Sequence, residues 1–397
     1  MKIPLQLIPT LRKETPGTAC VTHLNNAGAS LMPTPVYEAV KAYQEHELTR
    51  GGYEAAADHE AELNATYDSV ARLIGAERDE IAIVENATFA WHQAFHSYPW
   101  KKGDNIVTSH TEYATNFISF LQVKKRFGIE VKVAMRGDSG AADPQQIRKL
   151  IDGKTRMIVL THIPTNNGLV NPAEEIGDIA EEAGVMYLLD ACQSVGQYPV
   201  DVKAVKCDLL SATGRKYLRA PRGTGFLYVK KSVLQTLEPM FLDLHGAEWS
   251  AANTYEVRAD ARRFENWETN KALTLGLKAA AEYAINIGPK GIWERIVYLG
   301  GMLREKLINE IEGVSIEDIG ATQGGIVTFT IKNQPCERVK EYLQERKINV
   351  SVSHRSSTRL DMEARHLEGV MRASVHYYNN EEDLEKLTKA LKAFTSS

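Results

Sequence analysis

The hydrophobic positions of this chain form short apolar runs that alternate with longer amphipathic segments from about residue 35 to residue 290. Several of the runs are continuous stretches of Ile, Val and Leu. Continuous runs of this length are typical of parallel strands that are buried on both faces. The seven predicted strands are Glu80–Val84, Asn105–Thr108, Glu130–Ala134, Arg156–Thr161, Val185–Leu189, Leu209–Ala212 and Gly225–Val229.

Segments with helical periodicity separate most of these strands, which is the alternation expected of an α/β domain. Gly75 is expected to end one of the helices, because glycine commonly follows the last helical residue. The predicted helices are Pro35–Thr49, Ala55–Ile74, Asn116–Phe127, Pro144–Leu150 and Pro172–Ala183.

The pattern changes after Lys271, where a helix-rich stretch runs to Glu310 and strand–helix–strand units follow. A chain of 397 residues exceeds the size at which one core stops growing, so two domains are expected. We predict a large domain over residues 20–258 and a smaller α+β domain formed by residues 1–19 and 259–397. The predicted elements of its last part are Gly325–Ile331, Glu337–Glu345, Asn349–Val352, Met371–Val375 and Glu381–Phe394.

Composition narrows the class of protein. The chain is 43% hydrophobic and 25% charged with a net charge of -4, and Lys and Arg are spread along it, so no nucleic-acid partner is expected. No run approaches the ~18 apolar residues of a membrane helix, and the first twenty residues lack a signal-peptide pattern. The cysteines lack metal-ligand spacing, which predicts no metal site and favours the cytoplasm. They are Cys20, Cys192, Cys207 and Cys336.

Two residues at predicted strand ends carry the chemistry. Asp190 follows the fifth strand, on the edge where open α/β sheets bind ligands, and a buried carboxylate there needs a cationic partner. Lys216 follows the next strand and precedes a Gly- and Pro-rich turn. Pyridoxal 5′-phosphate (PLP) requires an Asp that pairs with its ring nitrogen and a Lys that forms a Schiff base. We therefore predict that Asp190 and Lys216 are catalytic and that Lys216 moves protons at the substrate Cα.

A phosphate site is predicted beside this pair. Ala87 and Thr88 stand where a strand turns into a helix, and N–H groups at a helix start bind anions. Thr213 and Arg215 would add a hydroxyl and a positive charge. Each residue alone has an ordinary structural explanation, such as a helix cap or a solvated lysine. The spacing of Asp190 and Lys216 together favours the cofactor interpretation.

Five segments together resemble the class V aminotransferases of PLP fold type I, which include cysteine desulfurases, isopenicillin N epimerase-like proteins and the ergothioneine C–S lyase. The resemblance covers nearly the whole chain. It implies a large domain with a mostly parallel seven-stranded sheet and a smaller C-terminal α+β domain. The segments are Leu24–Ser30, His162–Pro172, Asp190–Ser194, Thr213–Lys216 and Met371–Ser374.

The resemblance also implies roles for individual residues. Gln193 would contact the phenolic oxygen of the cofactor, and Thr165 occupies the position of a cofactor-binding Asn. Asn26 and Gly28 would line the substrate pocket. Arg372 would grip the α-carboxylate of a small amino-acid substrate, which suits the forked geometry of a guanidinium.

Departures from the family pattern shape the expected reaction. Tyr113 stands where desulfurases have a His that stacks on the cofactor, so Tyr113 is expected to stack instead. Desulfurases carry a persulfide-forming Cys before the carboxylate-binding Arg, whereas residues 351–359 contain none. We therefore expect a β-eliminating C–S lyase that acts through a Cα carbanion, not a persulfide-forming desulfurase. An aminotransferase or epimerase is the alternative, and a non-catalytic regulatory module is the remote one.

One further segment bears on assembly. Residues 263–270 resemble a stretch that crosses to the partner's cofactor phosphate in related proteins. The resemblance therefore implies a homodimer with shared active sites. Thr269 and Asn270 are the expected phosphate contacts, since Glu268 would repel the phosphate.

Overall fold

The computed structural model of the chain describes residues 3–396. The strands that this range contains are β1 Thr22–His23, β2 Ile81–Val84, β3 Asn105–Ser109, β4 Glu130–Ala134, β5 Thr155–Thr161, β6 Met186–Asp190, β7 Leu209–Thr213, β8 Gly225–Val229, β9 Ala247–Ala251, β10 Thr254–Val257, β11 Val314–Ile316, β12 Ile326–Ile331, β13 Ile348–Asn349, β14 Ser351–His354 and β15 Gly369–Ser374.

The α-helices of the same range are α1 Ile8–Lys13, α2 Thr34–Arg50, α3 Gly52–Asp58, α4 Glu60–Ile74, α5 Ala87–His96, α6 Ala114–Phe127, α7 Pro144–Leu150, α8 Ala173–Ala183, α9 Val202–Val205, α10 Lys271–Ile287, α11 Pro289–Glu310, α12 Cys336–Glu345, α13 Arg359–Ala364 and α14 Glu381–Thr395. Short 3₁₀ helices occur at Leu5–Leu7, Pro16–Ala19, Arg78–Glu80, Lys231–Thr236, Ala261–Phe264 and Arg355–Ser357.

A seven-stranded sheet forms the centre of the fold, with the strand order β2-β8-β7-β6-β5-β3-β4. Strands β3 to β7 are mutually parallel, and β8 runs antiparallel to both of its neighbours. The predicted α/β fold with a mostly parallel seven-stranded sheet is confirmed. Because the parallel strands share a direction, the residues that follow β3, β5, β6 and β7 meet at one edge.

Both faces of this sheet are buried, as the continuous apolar runs predict. In β6, Tyr187 and Leu189 belong to one hydrophobic cluster and Leu188 belongs to the other. All three side chains are fully buried. Burying an apolar side chain of this size contributes about 1.5–3 kcal/mol, so β6 is stabilised by packing on both faces.

A second sheet is antiparallel and has the order β11-β12-β15-β14, with α12 and α14 in the same part of the chain. The N-terminal segment joins this part, because β1 pairs with β13 and Ser374 donates its N–H to Leu24 O at 2.7 Å. Arg219 is 1% exposed and donates to Leu31 O, Tyr377 Oη and Thr15 Oγ1. The division into domains at residues 20–258 stays a prediction.

Two sequence predictions of local structure are wrong in detail, and one element was not predicted. The helix expected over Ala55–Ile74 is two helices, α3 and α4, since His59 between them has the non-helical angles φ -103° and ψ 12°. The strand expected over Asn349–Val352 is split between β13 and β14. The hairpin of β9 and β10 was not predicted. No helix within residues 3–396 is long and apolar enough to cross a membrane.

Candidate cofactor and substrate site

Asp190 is the last residue of β6, where it pairs in register with Thr161 of β5 and Ser211 of β7. Its side chain is 5% exposed. Oδ1 accepts the N–H of Cys192 at 2.9 Å, and Oδ2 accepts Nδ2 of Asn116 at 2.9 Å. Both donors are neutral, and Asp190 forms no ion pair within the described residues 3–396. A buried carboxylate that is bonded only to neutral donors keeps an unpaired charge, and a cation beside it would offset the cost of burying that charge.

Lys216 lies three residues beyond the end of β7, in the turn that leads to β8. Burial lowers the pKa of its amine below the usual range, and the charges of Arg215 and Arg372 lower it further. The charge of Asp190 acts in the opposite direction, so Lys216 lies within electrostatic reach of all three side chains. A lowered pKa increases the fraction of the neutral amine, which is the form that attacks a carbonyl group.

The predicted phosphate cradle lies at the start of α5. Asn86 caps this helix and accepts the N–H of Phe89 at 2.9 Å, while Ala87 is buried and Thr88 is exposed. The first N–H groups of a helix have no partner within it and attract anions. Gly225 of β8 packs against this turn, since an added Cβ would lie 2.8 Å from the carbonyl carbon of Asn86. A glycine is therefore required for β8 to approach the helix start this closely.

Thr213 and Arg215 flank Lys216 but differ in where they point. Thr213 ends β7 and donates from Oγ1 to Thr224 O at 3.5 Å. Arg215 donates from Nη1 to the carbonyl oxygen of Gly28. The structure thus brings Arg215 to the turn that was predicted to line the substrate pocket.

Gln193 and Tyr113 are two further predicted cofactor contacts. Gln193 is 3% exposed and donates from Nε2 to Ala27 O at 3.0 Å, while its Oε1 has no partner in the described part of the chain. Tyr113 precedes α6 and leaves 38% of its surface exposed. Its side chain lies within electrostatic reach of both Arg215 and Arg372, which places it near the same site.

Arg372 lies in β15 and was predicted to bind the substrate carboxylate. Its Nε donates to Ser351 Oγ at 3.0 Å, and its Nη1 donates to both oxygen atoms of Thr165. Burial lowers the pKa of Arg372 to about 10, so it stays cationic at neutral pH. It forms no ion pair among residues 3–396. A buried guanidinium without a carboxylate is suited to bind an anion from outside the chain.

The structure does not bring every predicted residue into this group. Asn26 is fully buried, and its amide is engaged by Ser374 O and the Tyr378 hydroxyl. Thr269 accepts from Lys271 Nζ at 2.7 Å, and Asn270 caps α10. No hydrogen bond within residues 3–396 links Thr269 or Asn270 to Lys216 or Arg372.

Two residues of the site escaped the sequence analysis. Asn116 donates to Asp190 from α6, and Ser351 accepts from Arg372 in β14. Both carry small polar side chains with no motif of their own. Asn116 was placed only at the start of a predicted helix, and the one weak signal was its position three residues after Tyr113, a predicted cofactor contact.

The residues present fit PLP. Asp190 is a buried carboxylate in need of a cation, and Gln193 Oε1 is a buried acceptor without a partner. The start of α5 offers unpaired N–H groups to a phosphate. Lys216 would hold the cofactor covalently, and Asp190 would pair with its ring nitrogen. No group of three or more His, Cys, Asp or Glu side chains among residues 3–396 could hold a metal ion.

Comparison with known proteins shows the family. The model of the aminotransferase class-V family matches residues 22–387. A probable cysteine desulfurase from Methanothermobacter thermautotrophicus is 32% identical over 96% of both chains. The apo structure of a cysteine desulfurase from Thermococcus onnurineus NA1 superimposes with a TM-score of 0.92 at 26% identity, over 100% of this chain and 99% of that chain. A C-DES variant with glycine covalently linked to PLP has a TM-score of 0.86 at 22% identity, over 96% and 98% of the two chains.

The chain belongs to the aminotransferase class-V family. It is a PLP-dependent enzyme with the fold of type I PLP enzymes. The predicted family, fold and cofactor are therefore confirmed.

The prediction of a β-eliminating C–S lyase is wrong. Four relatives that match between 96% and 100% of the chain are named cysteine desulfurase or probable cysteine desulfurase, and the structural neighbour from Thermococcus onnurineus is also a cysteine desulfurase. The expectation rested on the absence of a Cys from residues 351–359. That absence concerns the acceptor of the sulfur, whereas Lys216, Asp190 and Arg372 are the residues predicted to act on the cofactor and on the amino acid. A missing thiol could not decide the chemistry at Cα.

The charge of Asp190 can be tested by the substitution Asp190→Asn. The amide keeps the size of the side chain but removes the negative charge that would pair with the ring nitrogen. We expect turnover to fall by about 10²-fold or more, with some cofactor retained. The matched control is Asp208→Asn at the other end of β6, where the carboxylate accepts the N–H of Tyr187 at 3.0 Å. Steady-state kinetics of both reconstituted variants decide, and activity of Asp190→Asn within a few-fold of the parent would refute the role.

Proposed function

We propose that this chain is a cysteine desulfurase, which transfers the sulfur of L-cysteine to an acceptor thiol and leaves L-alanine. The observation that carries the proposal is the 32% identity to a probable cysteine desulfurase over 96% of both chains. The second full-length relative, from Pyrococcus abyssi, has the same name at 28% identity.

The proposed reaction balances as L-cysteine plus R–SH giving L-alanine plus R–S–SH. The Cβ–S bond breaks and an S–S bond forms, so that the transferred sulfur is oxidised and Cβ is reduced. PLP supplies the electron sink that makes a proton at Cα removable. Arg372 binds the α-carboxylate through its guanidinium, and Ser351 and Thr165 hold that guanidinium in place. Lys216 carries protons to and from the substrate carbon.

The acceptor thiol is proposed to come from solution. Burial raises the pKa of Cys192, Cys207 and Cys336, which keeps these three thiols protonated and weakly nucleophilic. Cys20 is exposed in the N-terminal segment. Residues 351–359, which precede Arg372, contain no cysteine.

The products distinguish this proposal from other chemistry. With L-cysteine and added dithiothreitol, we expect alanine in amounts equal to the sulfur released. Alanine formation should rise with the concentration of added dithiothreitol above the rate that L-cysteine itself supports as the acceptor thiol, and a variant with all four cysteines changed to Ser should keep most of its turnover. Chromatography of the amino acids and a colorimetric sulfide assay measure both products.

Two results would count against the proposal. Pyruvate and ammonia in place of alanine would refute sulfur transfer altogether. One equivalent of alanine formed without added thiol, together with a persulfide on one cysteine of the chain, would refute the external acceptor only. Mass spectrometry of the intact protein detects that persulfide.

The homodimer with shared active sites stays a proposal, supported by exposed apolar side chains around the hairpin of β9 and β10. Leu244 and Trp249 each leave 73% of their surface exposed. Together with Phe241 and Tyr255 they surround a surface hollow of about 590 Å³. Exposed apolar surface of this kind is typical of a protein interface, and a second copy in a two-fold arrangement would cover it.

Complementation tests whether the two chains share sites. A Lys216→Ala chain is mixed with a Thr269→Asp chain, in which a carboxylate replaces the proposed contact to the partner's phosphate. Thr269 lies before the cap of α10, so the helix start is left unchanged. Mixed dimers should regain part of the activity because one site has both intact halves. If light scattering shows a monomer and that monomer is fully active, the proposed shared sites are contradicted.

The domain division at residues 20–258, the cytoplasmic location and the absence of a nucleic-acid partner stay predictions. None of them bears on the proposed reaction.

A further inference from the structure

Glu112 is a buried acid next to the cofactor site that the proposed reaction does not use. Its side chain is 3% exposed. Four donors converge on the carboxylate: Tyr113 N–H at 2.9 Å, Thr108 Oγ1 at 3.0 Å, Asn116 Nδ2 at 2.8 Å and Thr161 Oγ1. A carboxyl group that is surrounded in this way acts as an acceptor of hydrogen bonds.

Asn116 connects this acid to Asp190. The same nitrogen atom, Nδ2, donates at 2.8 Å to Glu112 Oε1 and at 2.9 Å to Asp190 Oδ2. Asn116 is 2% exposed, so solvent does not compete for either bond. The three residues form a continuous chain of hydrogen bonds that ends on the carboxylate facing the cofactor.

This chain of hydrogen bonds is anchored to two neighbouring strands of the central sheet. Thr108 belongs to β3, and Thr161 ends β5, which pairs with β6 so that Thr161 lies beside Asp190. Asn116 lies in the first turn of α6, which begins two residues after Glu112. Glu112 is therefore fixed relative to the same strand ends that position Asp190.

Burial of the Glu112 carboxyl group costs free energy. Burial raises the pKa of its carboxyl group, and the nearby charge of Asp190 raises it further, while the bonds from Thr161, Asn116 and Tyr113 oppose the shift. An apolar residue would fill this space without the cost of removing a carboxyl group from water. Polar residues that cost stability in this way are typical of functional sites.

We propose that Glu112 is a positioning residue, which accepts one N–H of the Asn116 amide so that the other N–H points at Asp190 and fixes that carboxylate for the ring nitrogen of the cofactor. An acceptor is needed at position 112. Without it, the amide of Asn116 is free to turn and to present its oxygen atom to Asp190, which would repel the carboxylate. The inference rests on the cofactor site alone and holds whichever substrate the enzyme uses.

The test compares variants of Glu112 and Asn116 that are reconstituted with PLP that carries ¹⁵N in its ring. Glu112→Leu removes the acceptor, Asn116→Leu removes the bridge, and Glu112→Gln keeps an oxygen that can accept from Asn116. The affinity for PLP is measured by titration of the apo protein, and the protonation of the ring nitrogen is measured by ¹⁵N chemical shift. Neither readout depends on turnover of cysteine, so failure of the desulfurase proposal would not affect the result.

We expect Glu112→Leu and Asn116→Leu each to bind PLP about tenfold more weakly, with the ¹⁵N signal moved toward the neutral ring. The double variant should be no worse than Asn116→Leu alone, because both changes break one chain. Glu112→Gln should retain most of the affinity and the ¹⁵N shift of the parent.

The control is Glu80→Leu, which removes a buried carboxylate at the far end of β2, where Glu80 accepts the N–H groups of Glu77 and Lys231. It should leave both readouts unchanged. The proposal is overturned if Glu112→Leu keeps the parent's ¹⁵N shift and affinity, or if its effects add to those of Asn116→Leu. Should Glu112→Leu fail to fold, Asn116→Leu decides alone, and parent-like readouts from it overturn the proposal.

Discussion

The buried carboxylate of Asp190 is the group on which the rest of the site depends. It lies at the end of a strand whose side chains are buried on both faces, and it accepts hydrogen bonds from neutral donors only. Removing an ion from water is costly, and the cost is offset best by an opposite charge close by. PLP brings that charge with its ring nitrogen. The site is therefore completed by its cofactor, and the strand ends that meet at this edge of the sheet supply its other contacts.

The predicted substrate site also contains a buried charge without a charged partner, and here the charge is positive. Arg372 is a buried cation held by Ser351 and Thr165, and neither neighbour carries a charge. The two uncompensated charges come from different sheets, since Asp190 ends β6 and Arg372 lies in β15. Lys216 is within electrostatic reach of both. An amino acid bound between Arg372 and Lys216 would present its carboxylate to Arg372 and its Cα to Lys216.

Much of this arrangement could be predicted from the sequence, because local chemistry follows local pattern. Continuous apolar runs marked the strands, and Asp190 and Lys216 stand just beyond two of them. The hairpin of β9 and β10 left no such signal, since most of its side chains, including Trp249 and Tyr255, are exposed. The role of Asn116 was hidden because its partner Asp190 lies 74 residues away in sequence. The reaction was predicted wrongly because the prediction rested on the absence of a cysteine from residues 351–359. That absence concerns the sulfur acceptor and not the chemistry at Cα.

The most direct test of the account is chemical trapping of the cofactor. The protein is reconstituted with PLP and reduced with borohydride, and its peptides are then mapped by mass spectrometry. The account predicts a phosphopyridoxyl group on Lys216 in close to one equivalent per chain. Labelling of a different lysine, or no label after reconstitution, would contradict it.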